Sequence, residues 1–147
     1  MRAALREADK AETIDEVPIG CVIVKDGKII ARGYNKRETT NDPSGHAEIV
    51  TIRKASKKLK DWQLIDCDLY VTLEPCIMCS GAIIQSRIRN VYFGAFDYKG
   101  GGMGSSINVL DAKNINHHPN IYSGILLEEC SSKITNYFKK KRGKTNE

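Results

Sequence analysis

The sequence predicts an α/β protein of three layers, α/β/α, in which a five-stranded mixed sheet has helices on both faces. Apolar segments of strand length alternate along the chain with segments of helical period, which is typical of this class. The dipeptide Asp26-Gly27 is a hairpin turn signal between the first two strands, so the sheet should be mixed. No repeat or linker divides the 147 residues, and residues 1–147 are expected to form a single domain.

The first third of the chain predicts a helix, a hairpin and a loop. Residues 1–16 are rich in Ala, Glu and Lys with apolar positions at helical spacing, and Pro18 ends this helix. The β-rich run from Ile19 to Val24 and the segment from Lys28 to Tyr34 are the first two strands. Residues 35–45 are polar and contain Asn-Asp-Pro-Ser-Gly, which is typical of a loop.

The remaining chain alternates helices with strands. An amphipathic helix begins at His46, because apolar residues follow steps of three and four while basic residues occupy the other face. A second helix begins at Pro75, since proline is favoured in the first helical turn. The third strand is predicted at residues 69–73, the fourth at 90–96 and the fifth at 121–127. A glycine-rich loop is predicted at residues 100–106 and the terminal helix at 128–142.

Composition excludes some classes of protein. Hydrophobic residues make up 41% and charged residues 28%, as in ordinary soluble domains, and the apolar runs are too short to span a bilayer. The N-terminus is charged where a signal peptide would be apolar, so we expect a cytoplasmic protein. The chain has five cysteines, and an odd number argues against a disulfide framework. Cys21, Cys67 and Cys130 are expected in the core.

Positive charge is concentrated at the C-terminus. The net charge is +5, and residues 139–144 contain five basic side chains. A run of this kind is usually a solvated tail, so composition alone leaves nucleic-acid contact as one alternative.

Two short motifs carry most of the chemical information. His46-Ala-Glu48 offers an imidazole and a carboxylate, and Cys76-Ile-Met-Cys79 offers two thiols on one face of a helix. A structural zinc site normally uses four protein ligands, whereas three leave one coordination position free for water. The pattern therefore predicts a catalytic zinc ion bound by His46, Cys76 and Cys79.

Glu48 indicates which reaction such a site can perform. Zinc lowers the pKa of its water toward neutrality, and the hydroxide can attack an electrophilic carbon. A ring carbon that bears an amine becomes electrophilic when the adjacent ring nitrogen is protonated. Glu48 can take the proton from the water, deliver it to that nitrogen and later protonate the leaving ammonia. Hydrolytic deamination fits these residues.

The residues alone leave other functions open. An isolated C-x-x-C is more often half of a structural zinc knuckle or a redox pair. A small-molecule deaminase acting on guanine or a cytosine nucleotide would use the same ligands. A non-catalytic, zinc-stabilised RNA-binding protein would not need Glu48 beside a vacant metal position.

Several other side chains are expected to have structural roles. Glu74 should face solvent or cap the second motif's helix. Trp62 and the tyrosines are expected in the core rather than as base-stacking platforms. His117 and His118 lie in a polar loop, where a surface or supporting role is expected rather than metal ligation.

The segments around the motifs narrow the substrate. H-x-E with P-C-x-x-C is the pattern of zinc nucleobase deaminases. The segments that add to it are Glu16–Gly20, Gly33–Asn35, Asp42–Glu48, Leu69–Cys76 and Val91–Ala95. With them, the chain resembles bacterial tRNA-specific adenosine deaminases, of the cytidine deaminase-like superfamily, over nearly its whole length.

This resemblance implies an activity and its partners. Members of the family are homodimers that convert the wobble adenosine of a tRNA anticodon loop to inosine, with one Zn²⁺ per subunit. The resemblance assigns zinc binding to His46, Cys76 and Cys79, and proton transfer to Glu48. It also implies that the basic terminal helix lies near the anticodon stem.

Two substrate-binding residues follow from the same resemblance. Asn35 matches an asparagine that hydrogen-bonds the flipped base, and Asp97 matches an acidic residue close to the RNA. The chain differs at Phe96, where the family commonly has arginine, so an RNA contact there is either absent or replaced by stacking. The first helix also begins late compared with the family.

Overall fold

Four helices and five strands follow one another in residues 1–145, the part of the chain that the computed structural model describes. The last two residues of the predicted domain, 146 and 147, lie outside it. In chain order, the elements are α1 (Arg2–Thr13), β1 (Gly20–Lys25), β2 (Lys28–Tyr34), α2 (Ala47–Leu59), β3 (Cys67–Leu73), α3 (Ile77–Gln85), β4 (Asn90–Ala95), β5 (Asn120–Tyr122) and α4 (Leu127–Thr145).

The five strands form one mixed sheet in the order β2-β1-β3-β4-β5. β1 pairs antiparallel with β2 and β3, while β3–β4 and β4–β5 are parallel pairs. Asp26 and Gly27 have φ angles of 52° and 74°, as a two-residue type I′ turn requires. The predicted hairpin and mixed sheet are therefore confirmed.

Helices cover both faces of this sheet. The core on one face joins strand residues such as Ile23 and Phe93 to Ala55 of α2 and Ile83 of α3. The opposite face packs against α1 and α4, whose side chains are linked to each other by the ion pair between Lys133 and Asp9. The three-layer α/β/α prediction is confirmed. None of the helices within residues 1–145 has the combined length and apolar character of a membrane span.

Several element boundaries differ from the prediction, and three of the differences have a clear local cause. α1 ends at Thr13 because the chain turns at Asp15, whose φ angle is 57°. Pro75 precedes α3 instead of lying in its first turn, since Cys76 is the N-cap. The fifth strand has three residues, and left-handed φ angles at Gly124 and Leu126 then turn the chain directly into α4.

The core contains the predicted cysteines but not all of the predicted aromatic residues. Cys21, Cys67 and Cys130 are fully buried, as expected. The core prediction is wrong for Trp62, which is 60% exposed, and for Tyr98 and Tyr122, which are 76% and 46% exposed. Trp62 lies beyond the end of α2, where the Arg87 guanidinium is 5.7 Å from its ring centre.

Candidate metal centre and active-site cavity

Three ligand atoms converge where α2 and α3 begin. His46 Nδ1 lies 3.6 Å from Cys76 Sγ and 3.5 Å from Cys79 Sγ. A tetrahedral zinc ion with bonds of about 2.0 Å to nitrogen and about 2.3 Å to sulfur separates such atoms by roughly 3.6 Å. The donor types and these separations fit a zinc ion with one position left for another ligand.

The backbone explains why these side chains meet. His46 and Cys76 are the N-caps of α2 and α3, with extended φ/ψ angles, and Cys79 lies in the first turn of α3. Both helices pack on one face of the sheet and contact each other. Their N-termini therefore carry partial positive charge close to the two sulfur atoms, which favours thiolates there.

The two cysteines of the cluster have opposite pKa shifts. A hydrogen bond from Cys79, with a further one from His46, lowers the pKa of Cys76 to about 4. The same hydrogen bond to Cys76, together with burial, raises the pKa of Cys79. The hydrogen bond with Cys76 also raises the pKa of His46. Without a metal ion, Cys76 is therefore the more acidic of the two thiols, and a bound zinc ion would hold both sulfur atoms as thiolates.

Glu48 lies next to the ligand cluster and is 4% exposed. Burial raises the pKa of this carboxyl to about 7, and repulsion by the Cys76 thiolate acts in the same direction. A group whose pKa lies near the working pH can both accept and return a proton. The environment of Glu48 therefore suits it to general acid–base chemistry.

A cavity of about 340 Å³ opens beside the cluster. It brings the predicted substrate-binding residues Asn35 and Asp97 together with His46. Its other lining residues are Val17, Ile19, Arg37, Leu73, Phe96, Ile134 and Phe138. A larger cavity of about 530 Å³ lies between α1 and α4 and contains none of the predicted site residues.

Glu74 organises one side of this cavity, and the prediction that it faces solvent or caps a helix is wrong. It is 2% exposed. Its carboxylate accepts hydrogen bonds from the backbone N–H groups of Asp97, Met103 and Ser105, and from the Ser105 hydroxyl. A Cβ atom at Gly101 would overlap this carboxylate. The sequence did contain a signal for this role of Glu74. An acidic residue comes directly after a buried strand, and a glycine-rich loop with many backbone N–H donors follows later in the chain.

A second buried carboxylate, that of Glu16, holds the polar loop of residues 35–45, and the sequence did not reveal this role either. Glu16 is fully buried and accepts hydrogen bonds from the backbone N–H groups of Glu38 and Thr39, at 3.0 and 2.9 Å. The Thr39 hydroxyl donates to the same carboxylate. This loop carries Arg37 into the cavity wall, and Asn35 at its start is held by a bond from its N–H to the Ile19 carbonyl.

The two remaining histidines stay outside the cluster. His117 is half-buried, and its Nε2 lies 2.6 Å from the Ile88 carbonyl oxygen. His118 is exposed. Both positions agree with the predicted supporting or surface roles.

Comparison with known proteins adds a family context. The family profile described as the cytidine and deoxycytidylate deaminase zinc-binding region matches residues 1–95, which confirms the expected zinc cofactor. The tRNA-specific adenosine deaminase of Haemophilus influenzae is 47% identical over 143 residues, with 97% of this chain and 83% of the relative covered. That of Bacillus subtilis strain 168 is 48% identical over 144 residues, covering 98% and 89%.

A solved structure agrees in fold as well as in sequence. It comes from a study of A-to-I editing by tRNA:A34 deaminases at the wobble position of transfer RNA. The TM-score is 0.88 at 46% identity, and the match covers 90% of this chain and 96% of that one. The similarity therefore extends well beyond the two metal-ligand motifs.

Proposed function

We propose that this chain converts the wobble adenosine of a tRNA anticodon loop to inosine. The chain belongs to the zinc-binding cytidine and deoxycytidylate deaminases and, among them, to the tRNA-specific adenosine deaminases. The observation that carries this proposal is the identity of 47–48% to such enzymes over almost the whole chain. The cavity supports it, because Asn35 and Asp97 lie around the same space as His46.

The residues of the site divide the chemistry among them. His46, Cys76 and Cys79 would hold the zinc ion, which supplies a water nucleophile at neutral pH. Glu48 accepts a proton from the attacking water and donates one to N1 of the adenine ring, whose C6 is attacked. The same carboxyl then protonates the leaving ammonia. The balance is adenosine plus water to inosine plus ammonia.

The substrate side of the cavity suits an unstacked base. Deaminases act on single-stranded or flipped nucleotides, and an anticodon loop presents bases that are already partly unstacked. Asn35 is almost completely buried beside His46, which suits it to hydrogen-bond the base. Exposed basic side chains on α4, including Lys139 and Arg142, can contact phosphates and would make binding depend on salt.

A side-by-side assay tests the proposal. Zinc-loaded protein is incubated with a synthetic anticodon stem-loop that carries adenosine at the wobble position, and separately with free guanine and with cytidine. Inosine is expected to form in the stem-loop, whereas free guanine and cytidine should remain unchanged. A matched stem-loop with the adenosine moved into the paired stem should stay unchanged. Consumption of guanine or cytidine with the wobble adenosine intact would contradict the assignment.

The predicted homodimer is part of this proposal. Ile77 and Met78, in the first turn of α3, are 61% and 37% exposed. Ile107 is 46% exposed, and its N–H donates to the carbonyl of Gly101, which pairs with Cys76, the residue before Ile77. Exposed apolar side chains of this kind often mark protein–protein interfaces, which supports a dimer. Light scattering should give twice the mass of one chain, and a monomer would contradict the dimer.

We also infer that residues 1–147 act as one deaminase domain in the cytoplasm. The helices from the two ends of the chain, α1 and α4, pack on the same face of the sheet and are linked by ion pairs. A single cooperative unfolding transition is expected. All five cysteines are free, which suits a reducing compartment. Cell fractionation would test the location.

A further inference from the structure

Three aromatic rings lead from the core past the active-site cavity to the surface. Phe93 is buried and contacts Phe96 edge-to-face, with ring centres 5.4 Å apart. Phe96 lines the cavity and stacks on Tyr98, with ring centres 6.1 Å apart and planes within 19°. Tyr98 is 76% exposed. One side of its ring is thus supported by protein, and most of the rest faces water.

The loop that carries Tyr98 is held by hydrogen bonds on both sides of this residue. The Asp97 N–H donates to the buried carboxylate of Glu74, and the Asp97 carboxylate accepts from the N–H groups of Lys99 and Gly100. Gly101 N–H closes the turn on the Asp97 carbonyl at 2.8 Å. A ring in a fixed position loses little conformational entropy when a ligand stacks on it.

A second cavity is also lined by Phe96. It measures about 380 Å³ and is lined by Phe96, Tyr98, Leu127, Glu128 and Ser131. Phe96 lines both this cavity and the one that contains His46. Two spaces large enough for a base therefore share Phe96, and the second one has an aromatic wall with polar groups from α4.

We propose that Tyr98 stacks on the base of a nucleotide next to the target adenosine, and that the cavity between Phe96, Tyr98 and Ser131 receives this base. The inference rests on the proposed function. RNA is favoured over a protein partner because Lys99 directly follows Tyr98 and Arg37 lines the cavity that contains His46, so phosphates of the same strand can lie at both places. The charged residue that lines the Tyr98 cavity is Glu128, whose carboxylate can accept a hydrogen bond from a base. Single-stranded RNA is commonly bound by stacking splayed bases on aromatic side chains.

The test combines a protein change with a change in the RNA. Tyr98→Ala is expected to raise KM for the anticodon stem-loop by about 5-fold to 100-fold, with kcat unchanged. This range follows from ~1–3 kcal/mol per stacked base, at ~1.4 kcal/mol per tenfold. Tyr98→Phe keeps the ring and should stay close to the unmodified protein. Tyr122→Ala, at an exposed tyrosine of β5, is the control and should leave KM unchanged.

Abasic stem-loops identify the partner of the ring. An abasic residue on one side of the wobble adenosine should raise KM of the unmodified protein as much as Tyr98→Ala does. With that RNA, Tyr98→Ala should have no further effect. If Tyr98→Ala weakens binding equally with every abasic RNA, or changes the zinc content or the molar mass, the stacking proposal is overturned.

The two proposals fail in different ways. If the unmodified protein does not deaminate any stem-loop, the proposed function itself is wrong. If it forms inosine normally and Tyr98→Ala has the KM of the unmodified protein, the function stands and the stacking site is wrong.

Discussion

The active-site cavity has two walls of different physical origin. The metal wall is the cluster of His46, Glu48, Cys76 and Cys79, all within the first turn or at the N-cap of a helix, and it borders the cavity through His46. The apolar wall consists of Leu73, Phe96, Ile134 and Phe138, which come from three separate segments. The metal wall is built from two motifs with short internal spacing, which folding brings together across 30 positions. The apolar wall is built from residues that form no motif in the sequence.

This difference separates the reaction from its substrate. In the proposed mechanism, the metal wall holds the groups that activate water and transfer protons, and its ligands would serve any deaminase with this zinc chemistry. The apolar wall shapes the space that the base enters. Glu74 connects them, because it directly precedes Pro75 and Cys76 in the chain and its carboxylate holds the loop that follows Phe96.

Removing Glu48 from the metal wall should have the largest effect. Glu48→Ala is expected to lower kcat by about 100-fold to 10,000-fold, which is the usual contribution of a general acid–base group. Zinc content should be retained, because the three ligands are unchanged. The measurements are inosine formation on the wobble stem-loop and metal analysis of the purified variant.

Glu48→Gln is the matched control for packing. It keeps the size of the buried side chain but cannot transfer the proton, so its kcat should fall as far as that of the alanine variant. Near-normal turnover in either variant would show that Glu48 is not the proton-transfer group.

A change at Glu74 should weaken the connection between the walls. Glu74→Ala leaves the backbone N–H groups of Asp97, Met103 and Ser105 without their acceptor. We expect a loss of about 2–4 kcal/mol in unfolding free energy, which is roughly 5–15 °C in Tm for a domain of this size. Thermal unfolding checks this. Glu38→Ala, at an exposed carboxylate, should leave Tm unchanged, and an equally stable Glu74→Ala would remove the proposed connection.

A change in the apolar wall should have the smallest effect and should act on binding. Phe138→Ala is expected to raise KM for the stem-loop by about 2-fold to 10-fold, the equivalent of one aromatic contact, with kcat nearly unchanged. Ile65→Ala, which is similarly exposed but outside the cavity, is the control. A fall in kcat instead of a rise in KM would mean that the two walls do not have separate roles.

The sequence predicted those parts of the fold that depend on neighbouring residues. The second strand, Lys28–Tyr34, was predicted to the residue because its hairpin turn is encoded by Asp26-Gly27. The fifth strand was predicted too long because apolar residues near Leu126 and Leu127 resemble a strand in isolation. In the structure, a left-handed turn at Leu126 starts α4 instead.

The sequence by itself determined the residues of the metal wall, because the two motifs supply the ligand types and helical geometry fixes the spacing within each motif. The packing of α2 against α3 then brought His46 to Cys76, 30 positions away. Only the tertiary structure decided the apolar wall, the exposure of Tyr98 and the burial of Glu74. These features depend on contacts between distant residues, such as Glu74 with Asp97 and Ser105, which are 23 and 31 positions away. Local periodicity carries no information about such contacts, since they form only when the loops close over the sheet.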